Sequence, residues 1–530
     1  TIGIAATNYS SAALGSSQVL FDAHGLGTVI DLSSLQELDA GFNGFGGTQV
    51  HEINVSASAM IDLSGVQTVI GPIDGEDRLD LTLNSDGLVM LPALQEIFSA
   101  GGGDVRFIVN VPSYALLSLT SAEDTWFDLA AGTALDVSSL IFFGGQMDVR
   151  VGASIDASSL LAFDSATINV DPGGTLTAPL ATSFTNGFLS LVPGQNLTLP
   201  ALVNIDNSRF TMRGGTMLSV TDSIWDTTAL TSGATLVDAE GVGTVFDAGA
   251  VTFLNARFNG AGGTQVQTIS STAGAVVNLG GVETLETPFD SEDRIDFVVS
   301  DTADVRLDAL QTISGGPGDA RFVLDVDMYA LPSLAVAGDT WFDLSPGTDL
   351  SVPALTSFGG RMDVRDGASI DAPALESFDG ATVIVEPGGT LSAPLASSFV
   401  NSSLRVESGQ SLTLPALNVI DDSRFEVFSG ETFGVAATTW ETTGLTSGAT
   451  LIDAQGQGTL LDFNSITSLG ANFNGPGGTQ VQTISAIANA AVDLSGVETI
   501  FEPVDGEDRV DITVGSGATI DLSALQTTTG

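Results

Sequence analysis

Apolar residues recur at relative positions 0, +2, +5 and +8 in four successive stretches, TALDVSSLIFF, ASIDASSLLAF, GTLTAPLATSF and QNLTLPALVNI, with Ser, Pro, Ala and Gly between them. Position 0 falls on Leu135, Ile155, Leu176, Leu197 and Leu218 at steps of 20, 21, 21 and 21, and Leu350, Ile370, Leu391, Leu412 and Phe433 repeat those steps. Extended in both directions, the register runs through Ile2, Ile30, Ile61, Val89 and Leu117, then Phe246, Val277, Val305 and Pro332, and finally Leu461, Val492 and Ile520. One long repeat therefore holds nine short units, at steps of 31, 28, 28, 18, 20, 21, 21, 21 and 28, or 216 residues.

Around position 0 the short unit alternates apolar and polar, as in Ile155-Asp156-Ala157, which is strand period. It then turns on Ser, Pro or Gly. No stretch of ten or more residues keeps a helical apolar face, so no substantial helix is expected. Units of this size with Gly-rich corners predict an all-β fold, a β-solenoid (β-helix) of about 22 stacked coils, nine to each superrepeat of 215–216 residues. At about 4.8 Å per stacked strand, nine coils advance about 43 Å and 22 coils about 106 Å. A leucine-rich repeat is the rival, favoured by Leu32, Leu35 and Leu38; the missing Asn column and helical half count against it.

The expected organisation is one continuous solenoid over 1–530. Its superrepeat copies are 30–245, 246–460 and a partial 461–530, with 1–29 closing a preceding copy. TIGIAATNYS at 1–10 matches TFGVAATTWE at 432–441, which suggests a piece of a longer repetitive polypeptide. The nonapeptide FNGFGGTQV (42–50) returns as FNGAGGTQV (258–266) and FNGPGGTQV (473–481) because it decorates the same long coil of each copy. Its Asn-Gly and Gly-Gly pairs are expected to supply positive φ at a corner.

Composition adds constraints. At 43% apolar the sequence is too hydrophobic for disorder, and it has no Cys, hence no disulfide or thiolate chemistry. All 14 basic residues are Arg against 64 acids, a net charge of -50, which disfavours nucleic acid and anionic membranes as partners. No apolar run of about 18 residues is present, so no membrane insertion is expected. Such acidity suits saline or divalent-rich water, where screening lengths fall to about 10 Å or below, and an extracellular setting.

Candidate chemistry is confined to acids. DGEDRLD (74–80), DSEDRID (290–296) and DGEDRVD (505–511) each offer three Asp and one Glu in seven residues. Asp74, Glu76, Asp77, Asp80, Asp290, Glu292, Asp293, Asp296, Asp505, Glu507, Asp508 and Asp511 are thus candidate Ca²⁺ ligands, Ca²⁺ being the one cofactor the sequence suggests. The plain alternative is a solvated acidic loop with Arg78, Arg294 and Arg509 paired locally. GGGDVRF (101–107) and GGPGDARF (315–322) resemble single calcium-binding nonapeptides of the RTX type, but each is isolated, which favours a Gly-rich corner.

His24 becomes Glu240 and Gln455, and His51 becomes Gln267 and Gln482, so repeated imidazole chemistry is excluded. A carboxylate pair, Asp136 and Asp156 on successive coils, is weakened as a catalytic dyad because Asp136 becomes Ser351. Arg is retained beside acid at Asp104/Arg106, Asp148/Arg150 and Asp206/Arg209 and in their copies, either as ion pairs within the solenoid or as contacts to an acidic neighbour. Trp126 and Trp341 are expected to plug the interior of the short coil, with a glycan-stacking platform as the alternative. An ice-binding Thr column begins at Thr175, Thr177 and Thr198 but is interrupted by Ser392 and Asp156.

Units such as LTLPALNVI and IDAPALESF resemble those of giant repetitive bacterial surface and fibre proteins of the β-solenoid adhesin type. The resemblance implies secretion, a cell-surface or filament location, and a mechanical or adhesive role. The expected function is a non-enzymatic structural rod or filament whose partners are copies of itself. An adhesin holding surface glycans or protein through loops on the longer coils is the alternative, and a polysaccharide-active enzyme the third.

Overall fold

The computed structural model describes all residues except Phe45, Ala416, Ser429, Pro476 and Gly530. The variable residues Phe45 and Pro476 of the nonapeptide thus lie outside the described set. The regular elements among the described residues are strands of two to nine residues, with no helix, and the strands of successive coils pair in parallel. The fold is an all-β solenoid. Two compact units are distinguished: Thr1–Ala229 with Thr235–Val251 and Gly274–Asn278, and Leu230–Ala234 with Thr252–Ala273 and the residues from Leu279 onward.

In the first unit the position-0 residues stack as the spacing predicts. Ile2, Ile30, Ile61 and Val89 form one ladder, and Leu135, Ile155, Leu176 and Leu197 another. In the second unit Leu350, Ile370, Leu391 and Leu412 stack likewise, as do Phe433, Leu461, Val492 and Ile520. Position 0 points inward, and so do +2, +5 and +8: Leu135, Val137, Leu140 and Phe143 are all at most 2% exposed.

The spacing follows from a corner turn. Position +5 donates its N–H to the carbonyl of +2, as in Leu140 to Val137 and Leu160 to Ala157, both 2.9 Å. The Asp at +1 braces the same turn through the amide two residues on, Asp136 to Ser138 at 3.0 Å and Asp156 to Ser158 at 3.1 Å. These aspartates are corner braces, each with one oxygen committed to its own turn. Position +8 starts the next inward column, where rings follow one another coil on coil: Phe143, Phe163 and Phe184 in one unit, Phe358, Phe378 and Phe399 in the other, with centroids 5.3–6.3 Å apart.

One step of the register is corrected. The residues that pair with Leu135 and Leu350 are Tyr114 and Tyr329, not Leu117 and Pro332. Leu117 is 55% exposed, whereas Tyr114, Leu116, Leu119 and Ala122 satisfy 0, +2, +5 and +8 and are buried. The coil steps are therefore 25 and 21, not 28 and 18. The tyrosines sit where one ladder stops and the next begins, and there each hydroxyl donates to the preceding coil's carbonyl, Tyr114 to Val89 O at 3.0 Å and Tyr329 to Val305 O at 2.6 Å. A carbonyl left without a ladder partner is satisfied by a side chain.

Candidate functional site

The two recurrent motifs, FNG-x-GGTQV and the DGEDR loop of the following coil, are halves of one device. Asp77 accepts the Gly44 N–H on Oδ2 and the Gln49 N–H on Oδ1, both at 2.7 Å. Asp293 takes Gly260 and Gln265 at 2.8 Å each, and Asp508 takes Gly475 at 3.0 Å and Gln480 at 2.7 Å. All three carboxylates are buried, at 2%, 1% and 8% exposure. Both ends of the glycine-rich loop are thereby fastened to the next coil by charge-assisted bonds.

The glycines of this loop have two separate causes. Gly46 and Gly47 adopt φ of +79° and +84°, as expected at a corner. Gly44 does not; it is Gly because a Cβ there would lie 2.3 Å from Gln49 Cγ and 2.8 Å from Asp77 Oδ2.

The other acids of the candidate Ca²⁺ set are placed differently. Asp74, Asp290 and Asp505 are exposed and brace their own turns by accepting the amides of Glu76, Glu292 and Glu507 at 3.0–3.1 Å. The three glutamates are exposed. Asp80, Asp296 and Asp511 bond the Arg two residues before them, Arg78, Arg294 and Arg509, at 2.9–3.1 Å. The twelve carboxylates thus divide into clamps, turn braces, exposed glutamates and ion-pair partners. No group of three or more His, Asp or Glu that could hold a metal ion forms among the described residues.

His51 lies inside the same coil, fully buried and stacked on Phe42 with ring centroids 3.6 Å apart. Its ring nitrogens meet Ser11 Oγ at 3.0 Å and the Leu14 carbonyl at 3.0 Å. Gln482 does the same work with its amide, donating to Thr442 O at 2.9 Å and Leu445 O at 3.2 Å. The exchange of His for Gln between copies is explained: the position tethers a corner loop from within, and either residue supplies the donor. Burial lowers the His51 pKa, keeping the ring neutral.

On the outer face, Arg106, Arg150, Arg321 and Arg365 pair with acids of an adjoining coil rather than with the Asp two residues before them. Asp128 receives both Arg106 and Arg150 (2.8 Å for the latter), and Asp343 receives both Arg321 and Arg365 (2.7 Å for the latter). The tryptophans that the sequence places as interior plugs are here instead. Trp126 lies half-buried under the Arg106 guanidinium, 3.8 Å from the ring centroid, with Nε1 donating to Asp148 at 2.8 Å. Trp341 lies between Arg321 and Arg361 at 4.1 and 5.0 Å and donates to Asp363 at 2.9 Å. Arginine covers these rings, so they serve as an outer staple. The interior tryptophans are Trp225 and Trp440, both fully buried.

A bulge beside these staples shapes an acidic cleft in the first unit. The register shifts between Ala122 and Thr125, Asp124 takes φ of +45°, and Gly145 opposite has φ of +127° with no room for a Cβ against Thr125 O. Asp104, Glu123, Asp124 and Asp164 line a space of about 410 Å³. Burial, reinforced by the Asp124 carboxylate, pushes Asp104 up to about 6. The second unit repeats the bulge at Asp339 and raises Asp319 for the same reasons. Because the folded state holds this proton more tightly than the unfolded polypeptide, Asp104 favours folding most at low pH, and that contribution is lost as pH rises through about 6. Asp104→Asn is therefore expected to stabilise the protein at pH 7.5 by on the order of 1 kcal/mol after solvent screening, read as a higher melting temperature, and to change little at pH 4. Parallel melts of both proteins at the two pH values check this.

A larger cleft, about 780 Å³, opens where the ladder breaks at Tyr114, lined by Val89, Met90, Leu117 and Leu135 together with Asp136 and Asp156. No family model matches the protein, and no curated protein and no solved structure matches it.

Proposed function

We propose that this sequence is a stretch of an extracellular, non-enzymatic repeat protein that builds a structural filament at the cell surface with copies of itself as partners. The observation that carries the reading is the threefold clamp. In every copy the buried acid of the DGEDR loop is spent on fastening one coil to the next, at Asp77, Asp293 and Asp508. The retained Arg–Asp and Arg–Trp contacts tie coils together in the same way. A scaffold whose repeated polar groups are invested in its own coherence suits load-bearing better than turnover of a ligand. A solenoid hydrogen-bonded along its axis also gains reach simply by adding coils. Electron microscopy of the native material tests it: fibres with an axial spacing near 43 Å or a multiple support the filament, and isolated particles without lateral or end-to-end order contradict it.

The Tyr114 cleft favours the adhesin as a second reading, since its lining joins apolar side chains to two carboxylates, the mix a ligand site uses. Binding of a glycan array by wild type and loss of that binding in Tyr114→Ala would move the adhesin ahead.

A further inference from the structure

Four Asn-Gly steps occur in the sequence, at 43–44, 186–187, 259–260 and 474–475. All four asparagines are exposed. This dipeptide cyclises more readily than others because no Cβ on the second residue hinders the approach. The glycine nitrogen loses its proton and attacks the asparagine Cγ; the new N–Cγ bond forms, the bond from Cγ to the amide Nδ2 breaks, and ammonia carries the proton away. Water then opens the succinimide to aspartate or isoaspartate. The net change exchanges ammonia for water, and isoaspartate inserts an extra backbone atom.

In each of the four steps the glycine N–H is held by a side-chain oxygen brought from a later coil. Gly44 donates to Asp77 at 2.7 Å, Gly187 to Ser208 Oγ at 3.1 Å, Gly260 to Asp293 at 2.8 Å and Gly475 to Asp508 at 3.0 Å. The acceptors are all buried, at 2%, 0%, 1% and 8% exposure. We propose that these contacts are guards that keep the four exposed Asn-Gly steps from converting to succinimide.

Three physical effects act together at the Asp-held steps. A bonded N–H must break its hydrogen bond before it can give up the proton, and a neighbouring carboxylate disfavours the amide anion that follows. The second oxygen of the same carboxylate holds Gln49, Gln265 or Gln480, so the loop cannot swing the asparagine amide over the glycine nitrogen. Cyclisation must then wait for local opening, whose cost the clamp sets. At Asn186 a neutral hydroxyl replaces the carboxylate, and the asparagine amide itself donates to Asp164 at 2.8 Å, so the guard is shared and Ser208 supplies only part of it.

The test uses the full-length protein as wild type, Asp77→Ala and Ser208→Ala, aged in mildly alkaline buffer, with conversion at each asparagine read by peptide mass spectrometry and isoaspartate assay. Asp77→Ala should speed conversion of Asn43 about tenfold or more, as expected for losing a charge-assisted hydrogen bond, while Asn259 and Asn474 in the same molecule keep their wild-type rates. Ser208→Ala should speed Asn186 by a smaller factor. Unchanged or slower conversion of Asn43 in Asp77→Ala overturns the proposal, the slower case by making Asp77 a general base for cyclisation. Should all four sites accelerate together through global unfolding, hydrogen exchange at the wild-type Gly44 amide decides: a protected amide supports the guard, and a freely exchanging one overturns it.

Discussion

Asp293→Ala will cost the second unit about 3–5 kcal/mol, because it strips two charge-assisted hydrogen bonds from backbone amides that stay in place. The carboxylate is 1% exposed and holds Gly260 and Gln265 at 2.8 Å each, so water does not simply replace it. Glu292, next to it in sequence, is exposed and is expected to tolerate Ala within about 0.5 kcal/mol. Denaturant unfolding of the two variants beside wild type measures the difference. Equal effects from Asp293→Ala and Glu292→Ala would contradict the clamp.

Trp440→Ala is the second large effect, about 3–5 kcal/mol from lost burial and the cavity left behind. The indole is fully buried against Phe425 and Phe463, at 6.0 and 5.7 Å, and its Nε1 has no hydrogen-bond partner among the described residues. Trp440→Phe removes that unpaired N–H along with part of the ring, so it should cost much less than Ala. Trp341→Ala, on the outer face, loses a cation–π sandwich and one bond to Asp363 and should cost about 1–2 kcal/mol. Unfolding curves of the three variants rank them. Trp341→Ala matching Trp440→Ala would return Trp341 to the interior.

The solenoid is legible because its signal is local: Leu135, Val137, Leu140 and Phe143 lie within nine residues and all face inward. The slip at Leu117 comes from weighting leucine above tyrosine, although Tyr114 fits the 0, +2, +5, +8 rule better. Trp126 is misplaced for a similar reason. Strand parity puts it outward once Phe127 is inward, but ring size suggests the core. The clamp is harder to find, since Asp74, Asp77 and Asp80 are the same residue type within seven positions and the groups that distinguish them are supplied by the preceding coil. One signal is present. Asn43 to Asp77, Asn259 to Asp293 and Asn474 to Asp508 are each 34 residues apart, a constancy that two independent loops would not need. The pairs on Asp128 and Asp343 likewise join residues 22 positions apart, so for Arg106, Arg150 and Arg321 adjacency in sequence points to the wrong partners, whereas for Arg78, Arg294 and Arg509 it points to the right ones.

A calcium titration followed by thermal melting tests most directly whether the recurrent acidic loops are coil-to-coil fasteners. With a net charge of -50 the protein gains stability from any cation by screening, so the comparison is Ca²⁺ against Na⁺ at matched ionic strength. If Asp77, Asp293 and Asp508 are committed to backbone amides, the two salts give the same melting temperature and chelation changes nothing. A saturable rise with Ca²⁺ alone, reversed by chelation and lost in Asp74→Asn, would show a ligand that binds only the folded state and would contradict the account.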